Sequence, residues 1–335
     1  MEYRILGKTG LKISRVGFGG IPIQKVDGEQ TKTLLHYLME QGVNYIDTAR
    51  GYTVSEEYIG YALQGIRDRF VLATKSFART AEAMAKDIEV SLGNLQTDYI
   101  DLYQVHNPSP ADLDTVLAPG GALEALQAAK KAGKIRHIGI TLHSLELFQK
   151  AVEMDWVETI MFPYNIVETQ GEELIAKCAE KNIGFIAMKP LAGGAIDNAQ
   201  TAIRFIVNNP AVSVVIPGMA EISEAEQNIR AAADTSALTA EELETVSAVR
   251  SALGNHFCRR CNYCAPCTVG INISAVFLME GYVSRYNLKD WANARYAAFA
   301  HKASECIECG VCETRCPYNL PIREMLKNAA KIFGE

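Results

Sequence analysis

The sequence predicts an α/β fold, a (β/α)8 TIM barrel with an N-terminal hairpin, followed by a small, mainly helical, cysteine-rich domain. Three observations predict it. Eight short apolar runs alternate with longer segments of helical period between residue 13 and about 217, eight cysteines gather in two runs after residue 257, and no strand is followed by the G-x-G-x-x-G turn of a doubly wound sheet, the competing architecture. The chain has 335 residues, 48% hydrophobic and 21% charged, enough for one large domain and a smaller one. We expect the division at 1–254 and 255–335.

Residues 3–13, with a turn at Lys8-Thr9-Gly10, read as a hairpin placed to cap the lower end of the barrel. The barrel strands are expected at 13–18, 44–47, 70–75, 99–106, 137–141, 159–162, 184–188 and 213–216. Helical patterning falls between them at 31–41, 81–95, 123–131, 145–154 and 172–181, with the last barrel helix at 223–233. A further helix at 238–253 has an apolar stripe through Leu243, Val246, Val249, Ala252 and Leu253, a capping box from Thr239 to Glu242, and a stop at Gly254. Beyond it, 274–283 and 288–300 are helical and separate the two cysteine runs.

The second run, Cys306, Cys309, Cys312 and Cys316 followed by Pro317, has the C-x-x-C-x-x-C-x-x-x-C-P spacing of a bacterial ferredoxin cluster. Cys258, Cys261, Cys264 and Cys267 form a variant copy, with Thr268 in the place of the proline. The residues from Cys267 to Ile273 align with those from Cys316 to Ile322 as an internal repeat. Two copies imply two [4Fe-4S] clusters. Disulfide frameworks suit short secreted chains, and Met1 to Ile5 has no signal-peptide pattern. Zinc ribbons pair two separated hooks, which four cysteines at three-residue steps do not provide. Because the fourth cysteine of each run ligates the other cluster in two-cluster ferredoxins, Cys258, Cys261, Cys264 and Cys316 are expected to hold one cluster. Cys306, Cys309, Cys312 and Cys267 hold the other. This unit reads as a helical, ferredoxin-like dicluster domain, and the ninth cysteine, Cys178, as a buried apolar thiol.

No apolar run approaches the roughly 20 residues that span a bilayer, so membrane insertion is not expected. The net charge of −6 divides into +3 from His256 onward and −9 before it. So small a bias beside anionic clusters reads as local compensation rather than a nucleic-acid surface. A cytoplasmic, oxygen-poor setting suits this composition.

Active sites of such barrels sit on the C-terminal strand ends, and four ionisable residues fall there or just beyond. Asp47 ends the second strand, Tyr52 follows in the loop, Lys75 ends the third strand and His106 the fourth. An ammonium beside a phenol favours the phenolate, which gives Lys75 its role toward Tyr52. Asp47 keeps the lysine charged, and His106 orients a carbonyl. Together they place a proton donor beside a carbonyl awaiting hydride.

From Tyr3-Arg4-Ile5-Leu6-Gly7-Lys8-Thr9-Gly10-Leu11, through Asp47-Thr48-Ala49-Arg50-Gly51-Tyr52 and Gly133-Lys134-Ile135-Arg136-His137-Ile138-Gly139, to Ile216-Pro217-Gly218, the chain resembles the aldo-keto reductase family. The likeness covers about residues 1–235, and the whole chain is similar to the subgroup with a C-terminal ferredoxin-like 2[4Fe-4S] segment. It implies reduction of aldehydes or ketones by NAD or NADP, with Asp47, Tyr52, Lys75 and His106 as the catalytic tetrad. It places nucleotide contacts at Gly19, Gly20, Thr141, His143, Met188, Lys189, Leu191, Gly193, Ile216, Pro217, Gly218, Gln227 and Asn228. Departures are local. Thr141, Leu142 and Met161 stand where the family carries Ser, Asn and Gln around the carboxamide, with His143 or Asn165 as substitutes, and Met188 replaces a stacking Tyr. Gly218, Met219 and Glu224 replace the residues that hold a 2′-phosphate, which favours NAD.

Nicotinamide exchanges two electrons as hydride whereas each cluster takes one, so coupling the two calls for an adaptor, most simply a flavin, or for a substrate that tolerates a radical intermediate. The expected function is an iron-sulfur oxidoreductase acting on a small carbonyl or the corresponding alcohol, its clusters relaying electrons to or from a ferredoxin or flavodoxin partner. The alternatives are a two-electron carbonyl reductase with structural clusters and a non-catalytic electron carrier on a degenerate barrel.

Overall fold

The fold was analysed in a computed structural model describing residues 1–335. Strands β1 (Tyr3–Ile5) and β2 (Lys12–Ser14) form an antiparallel hairpin with Arg4 opposite Ile13. Its connection contains a short 3-10 turn, Gly7–Thr9, that ends at Gly10 with a left-handed φ of 71°. Eight parallel strands follow: β3 (Phe18–Gly19), β4 (Tyr45–Asp47), β5 (Val71–Ser76), β6 (Ile100–His106), β7 (Ile135–Thr141), β8 (Thr159–Pro163), β9 (Gly184–Met188) and β10 (Val214–Ile216). They pair in sequence order, and parallel bridges from Val16 to Val215 and from Gly19 to Gly218 close the barrel.

The first barrel strand differs from expectation. Residues 12–14 belong to the hairpin, and barrel pairing begins only at Val16. At the break, Ser14 exchanges its ladder for side-chain bonds: its N–H donates to Asn44 Oδ1 at 2.6 Å and its hydroxyl to Val16 O at 2.7 Å.

Helices α1 (Gly28–Glu40), α2 (Ser55–Ala62), α3 (Ala81–Leu95), α4 (Pro110–Leu117), α5 (Ala122–Lys131), α6 (Leu145–Ala151), α7 (Glu172–Glu180), α8 (Ala199–Val207) and α9 (Ile222–Ala233) occupy the connections. Sequence periodicity did not single out α2, α4 or α8. In α8 seven of nine residues are buried, the polar Thr201 and Arg204 among them. The barrel interior is filled by side chains including Ile13, Tyr45, Ala73, Leu102, Ile186 and Val214, joined by Leu6 from the hairpin connection. A second apolar layer lies between the strands and the helices.

Two compact units divide the chain: 1–165, 169–190 and 198–238 in one, and 166–168, 191–197 and 239–335 in the other. Helix α10 (Ala240–Leu253), begun by the Thr239/Glu242 capping box, groups with the second unit. That unit continues with α11 (Ile273–Ser284), α12 (Lys289–Ala297), α13 (Val311–Thr314) and α14 (Ile322–Phe333). The internal repeat is visible in its packing. Ile271 and Ile273 after Cys267, like Leu320 and Ile322 after Cys316, are buried together in one core with Val276, Phe277 and Leu326.

Candidate active site and cysteine cavities

Parallel register brings the expected ionisable residues to one end of neighbouring strands: Gly19 is level with Asp47, Asp47 with Ala73, Lys75 with Gln104 and His106 with Thr141. Lys75 and Asp47 are buried and form an ion pair, while Lys75 Nζ also donates to Thr48 O at 2.7 Å. The other carboxylate oxygen of Asp47 accepts from Gln104 Nε2 at 3.2 Å. Burial pushes the Asp47 carboxyl up and the Lys75 ammonium down, and each charge offsets part of the other's shift. Lys75 Nζ lies 5.0 Å from the centre of the Tyr52 ring. That ring stands edge-on to His106 at 6.2 Å, so the four expected residues meet in one place.

Burial first, and then the charges of Lys75, Arg79 and Lys189, hold the His106 imidazole well below its ordinary range. It is therefore neutral, and its Nδ1 is buried without a partner. Phe77, 55% exposed, stacks on it at 3.9 Å and fixes the ring plane. Behind Lys75, the buried carboxylate of Glu56 accepts from Thr74 and Ser91 at 2.8 Å and from Arg50 at 2.7 Å. Gln104, Phe77 and Glu56 were absent from the sequence reading. Gln104 was findable, since it lies two residues before His106 on the same strand face.

The expected nucleotide contacts divide by what else occupies them. Gly19, Gly20 and Gly218 have packing reasons to be glycine: a Cβ would lie 2.9 Å from Pro217 O, 2.8 Å from Ser55 Oγ and 2.7 Å from Pro22 Cγ respectively. Thr141 is buried, with its hydroxyl and carbonyl oxygens both accepting from Asn107 N at 3.0 Å. His143 Nδ1 lies 3.1 Å from Asn107 Oδ1, and Asn165 Nδ2 donates to Lys189 O at 2.9 Å. Met161, Met188 and Ile216 belong to the barrel interior. Lys189 has a left-handed φ of 58°, and Pro217 is buried. In the second unit, Leu191 O accepts from Ala195 N and Ile196 N, and Gly193 O from Arg285 Nε at 3.0 Å. Gln227 is exposed. Asn228 is buried, and its Oδ1 has no partner. At the start of α9, the Glu224 carboxylate accepts from the N–H groups of Ala220 at 2.6 Å and Glu221 at 3.2 Å, so the helix caps itself.

The cysteines line two separate cavities in the second unit. One is bounded by Cys258, Cys261, Cys264 and Cys316, the other by Cys267, Cys306, Cys309 and Cys312. Each cavity thus takes three sulfurs from one run and the fourth from the other. No three His, Cys, Asp or Glu side chains are disposed to hold a single metal ion. Four cysteines around one cavity fit the donor set of a [4Fe-4S] cluster, which takes one thiolate for each iron. Cys178 is buried in α7, and burial pushes its thiol up to about 12. No helix is long and apolar enough to cross a membrane.

Residues 15–202 match the aldo/keto reductase family, and residues 257–321 match the 4Fe-4S dicluster domain. Barrel, strand-end residues and cysteine unit therefore define an oxidoreductase with an iron-sulfur domain. The chain belongs to the aldo/keto reductase family. It is 28% identical to L-galactose dehydrogenase of Arabidopsis thaliana over 304 residues, 76% of this chain and 94% of that protein. Identity to aldo-keto reductase YhdN of Bacillus subtilis is 36% over 202 residues, 54% of this chain and 59% of the relative. Among solved structures, the holo form of aldo-keto reductase AKR11C1 from Bacillus halodurans is similar with a TM-score of 0.65 and 25% identity, covering 74% of this chain and 96% of that one.

Proposed function

We propose that the protein interconverts a small aldehyde or ketone and the corresponding alcohol with a nicotinamide nucleotide, NAD in preference to NADP, and exchanges electrons with a ferredoxin- or flavodoxin-like partner through two [4Fe-4S] clusters. The observation that carries the catalytic half is the Lys75 ammonium, held by Asp47 and Thr48 O and lying 5.0 Å from the Tyr52 ring centre. Tyr52 gives its hydroxyl proton to the substrate oxygen, and the lysine stabilises the negative charge left on the phenol. Neutral His106 donates a hydrogen bond to the same oxygen and sets its direction. When bound, the nucleotide supplies hydride and the clusters supply one-electron transfer.

Asn228 Oδ1, buried and unpartnered, fits an amine donor of the adenine, and Glu224 repels a 2′-phosphate dianion at the helix start. Cys258, Cys261, Cys264 and Cys316 hold one cluster; Cys267, Cys306, Cys309 and Cys312 hold the other. The second is the partner-facing one, since Cys309 is exposed and Ile307 beside it is 60% exposed. The similarity to a protein named L-galactose dehydrogenase supports sugar-like alcohols within the substrate class.

Anaerobic purification, iron and sulfide analysis, mass spectrometry of released small molecules and optical titration with NADH test this reading. About eight irons per chain, a bound nucleotide or flavin, and cluster bleaching that depends on substrate are the expected results. Metal-free protein sinks the cluster assignment, and substrate-independent spectra sink the coupling.

A further inference from the structure

Arg259, between Cys258 and Cys261, lines the cavity that those cysteines share with Cys264 and Cys316. It is 7% exposed and forms no ion pair, the buried carboxylate of Glu168 facing Arg260 instead. Its guanidinium donates to Gly254 O at 3.0 Å, to Phe257 O at 3.2 Å and to Val167 O at 3.5 Å, and stacks 3.9 Å over the Tyr318 ring, leaving Nε buried and unpartnered. Backbone dipoles and a ring face do not neutralise a full charge, and a buried cation without a counter-ion is expensive. The other cavity has a different arginine. Arg323 has a side chain 44% exposed and is bound by Glu313 through Nε at 2.9 Å and Nη2 at 2.8 Å, so its charge is both paired and screened. Arg260, the other arginine of the first run, faces Glu168 at 3.7 Å.

We propose that Arg259 is the counter-ion of the cluster held by Cys258, Cys261, Cys264 and Cys316, and that it places this cluster above the other in reduction potential. The proposal rests on the ligand sets read above. Four thiolates give a [4Fe-4S] cluster a charge of −2 when oxidised and −3 after it gains one electron from the redox partner. A fixed buried cation stabilises the second state more than the first. The competing influence at the other cluster is the Thr268 hydroxyl, 3.3 Å from Cys309 Sγ, a neutral dipole at an exposed position. A full charge in a dry site outweighs it. Electrons therefore settle first on the cluster beside Arg259.

The test is an anaerobic redox titration of the full-length holoprotein followed by electron paramagnetic resonance, with iron counted in every variant. Two one-electron steps are expected in the parent. Arg259→Met should retain all its iron and lower only the higher step, Arg259→Lys should leave that step near its parent position, and Arg323→Met should move neither. The step that moves should be the one abolished by Cys316→Ser and retained in Cys267→Ser. If Arg259→Met keeps its iron and shifts neither step, or shifts both equally, the proposal is wrong. Iron loss in Arg259→Met but not in Arg259→Lys supports the counter-ion role, and equal loss in both overturns it. If the ligand sets themselves are wrong, Cys316→Ser and Cys267→Ser will abolish the opposite steps whatever Arg259 does.

Discussion

Tyr52 has no catalytic use unless a positive charge waits beneath it, and Lys75 remains positive in a buried site only because Asp47 and Thr48 O hold it. Tyr52→Phe keeps the ring over the lysine and removes the hydroxyl that carries the proton. It should lower kcat for carbonyl reduction by about 10²–10⁴-fold while changing KM far less, as steady-state kinetics would read; a loss under about tenfold would place the proton donor elsewhere. His106 carries a prediction about pH. Its folded pKa lies below the ordinary value near 6.5, so neutral imidazole prevails above that value and protonation begins only as pH falls well beneath it. The kcat/KM profile should thus show no limb from His106 between about pH 6 and 7, and an inflection there that vanishes in His106→Gln would contradict the neutral assignment. Lys75 and His106 were legible in the sequence because each ends an apolar strand, where a polar side chain needs a reason. Glu56 was not, since a glutamate early in a helix is ordinary until Thr74, Ser91 and Arg50 are seen to converge on it.

At the level of elements, the hairpin is part of the barrel rather than an appendage. Leu6, from the β1–β2 connection, is fully buried in the interior layer, and a Cβ added at Gly184 would meet its Cδ1 at 2.6 Å. Leu6→Ala should cost about 2–5 kcal/mol, read as the unfolding midpoint under anaerobic conditions; a loss below about 1 kcal/mol would mean that the plug contributes little. Helix α9 shows what pattern reading missed. The family resemblance sets a 2′-phosphate at its start, and there the Glu224 carboxylate accepts from the N–H groups of Ala220 and Glu221 just ahead of the helix. Glu224→Gln retains an acceptor and removes the charge, so affinity for NADP relative to NAD should rise about two- to fivefold by equilibrium titration. An unchanged ratio would put the 2′-position away from this helix. Strand positions and cysteine spacing were readable because both are local periodicities, whereas the burial of Arg204 in α8 depends on Asp234, 30 positions away.

In the molecule as a whole, the segments 166–168 and 191–197 follow barrel strands β8 and β9 in sequence yet pack with residues of the cysteine unit. No local pattern announces this, because the partners are 84 or more positions away. Arg250 Nε donates to Ile166 O at 2.9 Å, Arg260 faces Glu168 at 3.7 Å and Arg285 Nε donates to Gly193 O at 3.0 Å. If clusters and their domain were an independent appendage, loosening these contacts would leave nucleotide binding untouched. Leu191 and Gly193, which the family resemblance places at the nucleotide, lie in one of these segments, so a nucleotide that they contact depends on the segment's ties. The double variant Arg260→Met/Arg285→Met removes two of the ties without altering a cysteine. It should retain its iron, show faster amide hydrogen exchange in 166–168 and 191–197, and bind nucleotide more weakly. Exchange and affinity both at parent levels would make the iron-sulfur unit dispensable to the barrel's chemistry, which is the outcome that a purely structural role for the clusters requires.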